Sequence, residues 1–269
     1  MRLFAAFALL LGLFIAPPPA WAQSAEERTR LDWVQQRGRM IYEIDRAAWV
    51  TTDDLRERIR DLQAAGIRGW TVERDGNAYV VTYYAGEGEA RAALYRGRVE
   101  NRRVVSRDVF ADGGRPPLTA LQRRLADARN AVPRMALRAC VNSPFNVAVI
   151  PPETPEGAID VYVLTPQVRN GYFPFGGHFR ATLTPGGEIA AERAFTNSCL
   201  EMPVPGRGQP RVAGIGIRHF LDGIPTEIHV FLSIWTGFPL FVAAGEPQRV
   251  WIVRPDGIEL MDQNRAPRM

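Results

Sequence analysis

Hydrophobic positions follow three rhythms along the chain. From Leu3 to Ala16 they are nearly continuous, behind Met1 and Arg2, until Pro17, Pro18 and Pro19 break the run ahead of Ala20-Trp21-Ala22. A short apolar stretch between a positive charge and a small-residue triplet is the pattern of a secretory leader over residues 1–22, with cleavage expected before Gln23. Such a stretch is also shorter than the roughly 20 residues a membrane-spanning helix needs. No later segment is apolar enough to act as a transmembrane anchor, so the expected product is periplasmic or secreted.

Between residues 23 and 138 helical and strand rhythms alternate. Ser24 is placed to cap a helix running to about Gln36, with Leu31 and Val34 on one face, and Met40 to Ile44 reads as a strand. Thr52 or Asp53 then caps a second helix carrying Leu55, Ile59 and Leu62 at i, i+4 and i+7, with Gly66 placed to end it. Trp70 to Tyr84 form a hairpin around Asp75-Gly76, and Ala90 to Val99 and Arg103 to Phe110 extend it into an antiparallel meander. Pro117 opens a third helix with an apolar stripe of Leu118, Leu121, Leu125, Ala128 and Val132.

From residue 139 to 269 the period is that of strands. Apolar alternation or short apolar runs recur at 145–150, 159–164, 178–184, 188–195, 212–221, 226–235, 240–244, 249–254 and 258–261, separated by turn residues such as Pro185-Gly186-Gly187 and Asp256-Gly257. Two units are therefore expected: an α+β domain over residues 23–138, helices plus an antiparallel meander, and a mainly antiparallel β domain over residues 139–269, a sandwich or partly closed barrel.

Charge sharpens this division. All 33 basic residues are arginine; 22 of them lie in residues 23–138 beside 17 acidic residues, while residues 139–269 carry 10 against 12. The absence of lysine excludes Schiff-base chemistry, a Ser-Lys dyad and a P-loop, each of which requires an ammonium. Arg56, Arg58, Arg60, Arg96, Arg98, Arg102, Arg103 and Arg107 suggest an anion-binding surface, but Glu57, Asp61, Glu100 and Asp108 interrupt them, so a salt-bridged solvated face is expected. A net charge of only +3 beyond the leader argues against nucleic acid as a partner. In an oxidising compartment the two cysteines, Cys140 and Cys199, pair most simply with each other.

Candidate chemistry falls in the second unit, which holds all three histidines. If residues 226–235 form a strand, Ile228, Val230, Leu232 and Ile234 face the core while Glu227, His229, Phe231, Ser233 and Trp235 point away from it. On the strand starting near His178, the same parity sets Arg180, Thr182 and Thr184 opposite Phe179, Ala181 and Leu183. His219, sharing its face with Ile215, Ile217 and Leu221, reads as structural. Should the two strands be neighbours, His178, Arg180, Glu227 and His229 meet on one polar surface.

That surface has three readings. It is a solvated sheet face with a Glu227 to Arg180 ion pair, or a ligand pocket using Arg180, Phe231, Ser233 and Trp235, or a catalytic site in which His178, Glu227 and His229 act as acid and base. No metal is expected, since the arginine would repel a cation and no HExxH spacing is present, and no cofactor is expected, since the glycines around Gly214 and Gly216 do not complete GxGxxG. The expected function is an exported soluble binding or interaction protein of the cell envelope, acting on an unknown envelope ligand or protein partner. The alternative is a hydrolase built on the His178, Glu227 and His229 set.

Overall fold

A computed structural model describes residues 23–205 and 212–262; the leader expected over residues 1–22 lies outside them. The chain begins with α1 (Ala25–Arg58), capped by the Ser24 hydroxyl accepting from the Glu27 amide at 3.0 Å. Its 34 residues replace the strand expected at Met40–Ile44 and the separate helix expected from Thr52 or Asp53. Thr52 and Asp53 are good cap residues, and Thr51 and Thr52 are β-branched with low helix propensity. Here Thr51 and Thr52 instead donate back to the Ala47 and Ala48 carbonyls at 2.8 and 2.7 Å, and the Tyr83 hydroxyl lies 2.6 Å from Thr52 Oγ1. Tertiary partners thus hold in helix a segment that would cap or break it alone. The apolar stripe of Leu31, Val34, Gly38, Ile41, Ala48 and Leu55 is continuous and buried.

The expected meander follows: β1 (Ile67–Asp75), β2 (Ala78–Ala85), β3 (Ala92–Glu100) and β4 (Arg103–Val109) form one antiparallel sheet in sequence order. The helix after it, α2 (Ala120–Arg129), starts later than Pro117 because Thr119 and Gln122 make a reciprocal capping box. Much of the expected salt-bridged arginine face is present: Arg58 and Arg107 reach Asp54, Arg56 reaches Asp53, and Arg98 pairs with Asp75 and Glu100.

The remaining chain supplies β5 (Asn146–Ile150), β6 (Ile159–Leu164), β7 (Tyr172–Pro174), β8 (Phe179–Leu183), β9 (Ile189–Ala194), β10 (Glu201–Pro203), β11 (Ile215–Arg218), α3 (Glu227–Thr236), β12 (Leu240–Ala244), β13 (Arg249–Arg254) and β14 (Gly257–Leu260). β5, β6, β8 and β9 make a second antiparallel sheet, β7 pairs with β10, and β11 to β14 make a third sheet. Among the described residues none of these sheets closes into a barrel. The architecture is α+β with a mostly antiparallel, β-rich second half, as expected. Cys140 and Cys199 lie at disulfide distance, with Cα atoms 5.3 Å apart.

One expected strand is a helix. Residues 226–235 lie almost wholly in α3, which carries the crossover between β11 and β12, a parallel pair that no tight hairpin could join. Glu227 through Ser233 are all buried, so every face of the helix is covered and no helical period appears in its sequence. The ends carried the signal: Thr226 sits at the N-cap, with its amide donating to His229 Nδ1 at 2.9 Å, and Gly237 ends the helix at φ +76°.

α3 lies across α1 at Gly38. A Cβ built there would stand 2.4 Å from the Glu227 carbonyl oxygen and 2.5 Å from Val230 Cβ, so only glycine permits this approach. The contact belongs to an apolar cluster that takes in Ile41 of α1, Leu94 of β3, Tyr162 of β6, Val230 of α3 and Trp251 of β13. A second cluster lies between α2 and the opposite face of the β5–β6–β8–β9 sheet, around Leu125, Val161 and Phe179. α1 is further tied to the third sheet by Gln35, whose amide donates to the Pro255 carbonyl at 2.8 Å, and by the bidentate Arg249 to Glu27 pair.

Gly38→Ala tests this packing by its sign. In an exposed helix interior the change stabilises by about 1 kcal/mol. At this crossing it is expected to destabilise by about 2 kcal/mol or more, because a backbone carbonyl cannot rotate out of the way. Urea denaturation of the two proteins measures the difference, and an alanine variant at least as stable as wild type would contradict the close approach.

Candidate functional site

The polar constellation exists, but in a different form from the one expected. Strand parity holds on β8: Phe179, Ala181 and Leu183 face α2, while Arg180 and Thr182 face α1. In register beside them stand Tyr162 and Asp160 on β6 and Arg193 on β9. Glu227 reaches this face from the first turn of α3. Its Oε1 accepts from Arg180 Nη1 and from the Tyr162 hydroxyl, both at 2.9 Å. The Glu227 to Arg180 ion pair therefore forms between a helix terminus and a sheet, and Glu227 is only 2% exposed. Burial, reinforced by the Glu227 carboxylate, holds the Tyr162 phenol well above its usual pKa.

Neither catalytic histidine of the expected set lies on an exposed surface. His178 precedes β8 and is fully buried; its Nδ1 accepts from the Thr165 amide at 3.3 Å and its Nε2 donates to the Pro174 carbonyl at 2.9 Å. Burial lowers its pKa to about 4. His229 is buried at the third position of α3, with Nδ1 committed to Thr226, and its ring stands edge-on to His219 with centroids 4.7 Å apart. Burial, with His219 beside it, lowers its pKa to about 3. An imidazole so reluctant to take a proton, with its lone pair already used, is a poor general base.

Of the four expected ligand residues, Phe231, Ser233 and Trp235 share α3 and pack into the fold, whereas Arg180 lies on β8 and lines a cavity described below. Phe231 is 1% exposed and packs on Tyr42, His178 and Trp235. Ser233 is fully buried, with its hydroxyl against the Phe238 and Val253 carbonyls. Trp235 rests edge-on against Phe173. These side chains build the core and line neither cavity described below.

The cavities lie instead along α1. One, of about 270 Å³, is bounded by Trp33, Arg180, Arg193, Asp222 and the start of α3. The other, of about 400 Å³, is bounded by Trp33, Arg37, Met40, Pro151, Pro152 and Glu153. Both are lined by Trp33, Asp160 and Thr182, so they adjoin and form one groove between α1 and the β5–β6–β8–β9 sheet. Trp33 stands at the junction, 40% exposed, with the Arg37 and Arg180 guanidinium carbons 5.2 and 6.0 Å from its ring centroid.

The walls of the groove are ordered by ion pairs. Arg37 reaches Asp160 at 3.4 Å, and Thr182 donates to the same carboxylate at 2.6 Å. Arg193 grips Asp222 with both terminal nitrogens, at 3.3 and 2.7 Å, while His219 Nε2 lies 2.8 Å from Asp222 Oδ2. Burial alone would raise the Asp222 pKa, but the hydrogen bonds from His219 and Arg193 outweigh it and hold the carboxyl far below its usual range. The structural reading of His219 fits this bridging position. Among the described residues no cluster of histidine, cysteine and carboxylate side chains could hold a metal ion.

Trp33, which lines both cavities, is absent from the residues the sequence pattern singles out. It lies off the Leu31, Val34 and Gly38 stripe, and a tryptophan on the outer side of an amphipathic helix was the available signal.

No family model matches the chain, and no curated protein matches it. A crystal structure of a Bacteroides eggerthii protein provisionally described as periplasmic is 15% identical over 55% of this chain and 88% of that one, with a TM-score of 0.17. A superposition that poor defines neither fold nor function. No described helix is long and apolar enough to cross a membrane.

The buried histidines make stability depend on pH with a definite sign. Their folded pKa values lie below the free value of 6.5, so their contribution is complete above that pH. It is lost as pH falls toward about 4 and 3, at up to about 1.4 kcal/mol per pH unit for each histidine. Asp45 on α1, raised by burial to about 6, works in the opposite direction between its folded pKa and 3.8, so the difference between variants is the informative quantity. His178→Gln is expected to lose less stability than wild type between pH 7 and pH 4.5. Parallel urea-derived stability curves for the two proteins would mean that His178 takes up its proton freely in the fold.

Proposed function

We propose that the protein is an exported binding protein of the cell envelope and that its ligand lies in the groove along α1, over Trp33. The observation that carries this reading is the exposed indole at the junction of two adjoining cavities whose polar walls are already fixed by ion pairs. Groups held in place before the ligand arrives cost little to order on binding. Export is supported by the leader pattern of residues 1–22 and by the cysteine pair, which suits an oxidising compartment.

Two measurements test the two halves. N-terminal sequencing of protein from the periplasmic or secreted fraction is expected to begin at Gln23; a chain retained in the cytoplasm and beginning at Met1 would refute export. For binding, wild type and Trp33→Ala are incubated with a small-molecule extract of the envelope, washed and analysed by native mass spectrometry. A compound retained by wild type and lost in the variant is expected, whereas equal retention, or none by either protein, would contradict a ligand site at Trp33.

A further inference from the structure

We infer that the ligand of this groove is a neutral, extended polyhydroxy chain, an oligosaccharide; the inference rests on the groove being the ligand site and adds the chemistry of what fills it. Three pairs, Arg37 with Asp160, Arg180 with Glu227 and Arg193 with Asp222, hold their charges against one another. The two other charged residues lining the cavities, Arg30 and Glu153, have opposite signs, so four arginines face four carboxylates and the groove is electrically balanced.

That balance decides between ligand classes. An anion bound through the remaining N–H groups of Arg180 would stand beside the Glu227 carboxylate and be repelled by it, and one that took the whole guanidinium would leave a nearly buried carboxylate without its partner. Breaking a buried pair from one side costs more than a new exposed pair returns. A cation taking Glu227 or Asp222 faces the mirror-image cost. A hydroxyl faces neither. It donates to one lone pair of a carboxylate and accepts one N–H of a guanidinium, and both groups have capacity beyond their mutual bond, about four acceptor sites and five donors respectively. Arg180 gives one terminal nitrogen to Glu227, and Asp160 accepts from Thr182 beside it. Donors and acceptors therefore alternate along the wall, which suits vicinal hydroxyls that serve as both.

Trp33 supplies the second requirement of such a ligand. A pyranose ring has a flat face of C–H groups, and the exposed part of the Trp33 indole, beside the Arg37 and Arg180 guanidinium groups over its ring, offers an apolar surface on which it can rest. Two cavities of about 270 and 400 Å³ that share the indole as a wall give more room than one small molecule fills and suit a chain of rings.

Calorimetric titration of the protein with cellohexaose, maltohexaose and chitohexaose tests the class, with hexagalacturonate and a chitosan hexamer as anionic and cationic counterparts. At least one neutral hexasaccharide is expected to bind with Kd below about 1 mM. Its affinity should change less than about twofold between low and high salt, because no net charge is neutralised. Trp33→Ala is expected to weaken it about tenfold or more, as for loss of a central aromatic contact. Trp49→Ala, removing an exposed tryptophan of the same helix that lines neither cavity, should leave it unchanged and controls for damage to α1. Binding of the charged oligomers alone, weakening steeply with salt, would overturn the ligand class while leaving the groove as a site. Failure of every neutral probe would overturn it too. Neutral binding insensitive to Trp33→Ala would place the sugar elsewhere and remove the groove reading itself.

Discussion

The close crossing of α1 and α3 at Gly38 is the constraint on which the rest of the second half depends. α3 can carry Glu227 to the sheet only because its first turn lies almost against the α1 backbone. From that position Glu227 meets Arg180 and Tyr162, and the same turn closes one end of the groove. One missing side chain on α1 thus sets the placement of a carboxylate nearly two hundred residues further on. It also explains why α3 has no polar side: with α1, the sheets and the loops around it, the helix is covered on every face.

Charge in this protein serves geometry more than long-range attraction. An arginine-only cation set permits planar, bidentate pairing, as Arg193 with Asp222 and Arg249 with Glu27 display. Partly buried pairs of this kind add little net stability, since desolvation and screening offset most of the attraction, but they fix direction. In the groove the result is a wall of oriented donors and acceptors without net charge, and on the first sheet Arg98 and Arg107 are spent on local carboxylates.

Legibility in the sequence followed burial. The meander was readable because its strands alternate and its hairpin announces itself at Asp75-Gly76. The outward parity of Arg180 and Thr182 was readable because β8 has one face on α2 and one on a polar groove. The interior of α3 was not, because a helix buried all round and rich in β-branched residues, with Ile228, Val230, Leu232 and Ile234 alternating, reads like a strand. Only Thr226 and Gly237 distinguish it. The continuity of α1 was hidden for a related reason: Thr51 and Thr52 resemble a cap until Tyr83, remote in sequence, takes up their hydroxyls. Strand parity over 227–235 sets His229, Phe231 and Ser233 on the same face as Glu227, whereas the helix brings Glu227 to Arg180 and turns the other three into the core.

Native-state hydrogen exchange tests most directly whether α1 and α3 act as one structural unit that fixes the groove. The account predicts that amides of α1 around Gly38 and those of α3 from 230 to 236 open with the same free energy, close to that of global unfolding, since neither helix can leave without exposing the shared core. If α3 exchanges through a much lower-energy opening while α1 stays protected, the crossing at Gly38 does not hold Glu227 in place, and the account fails at its centre.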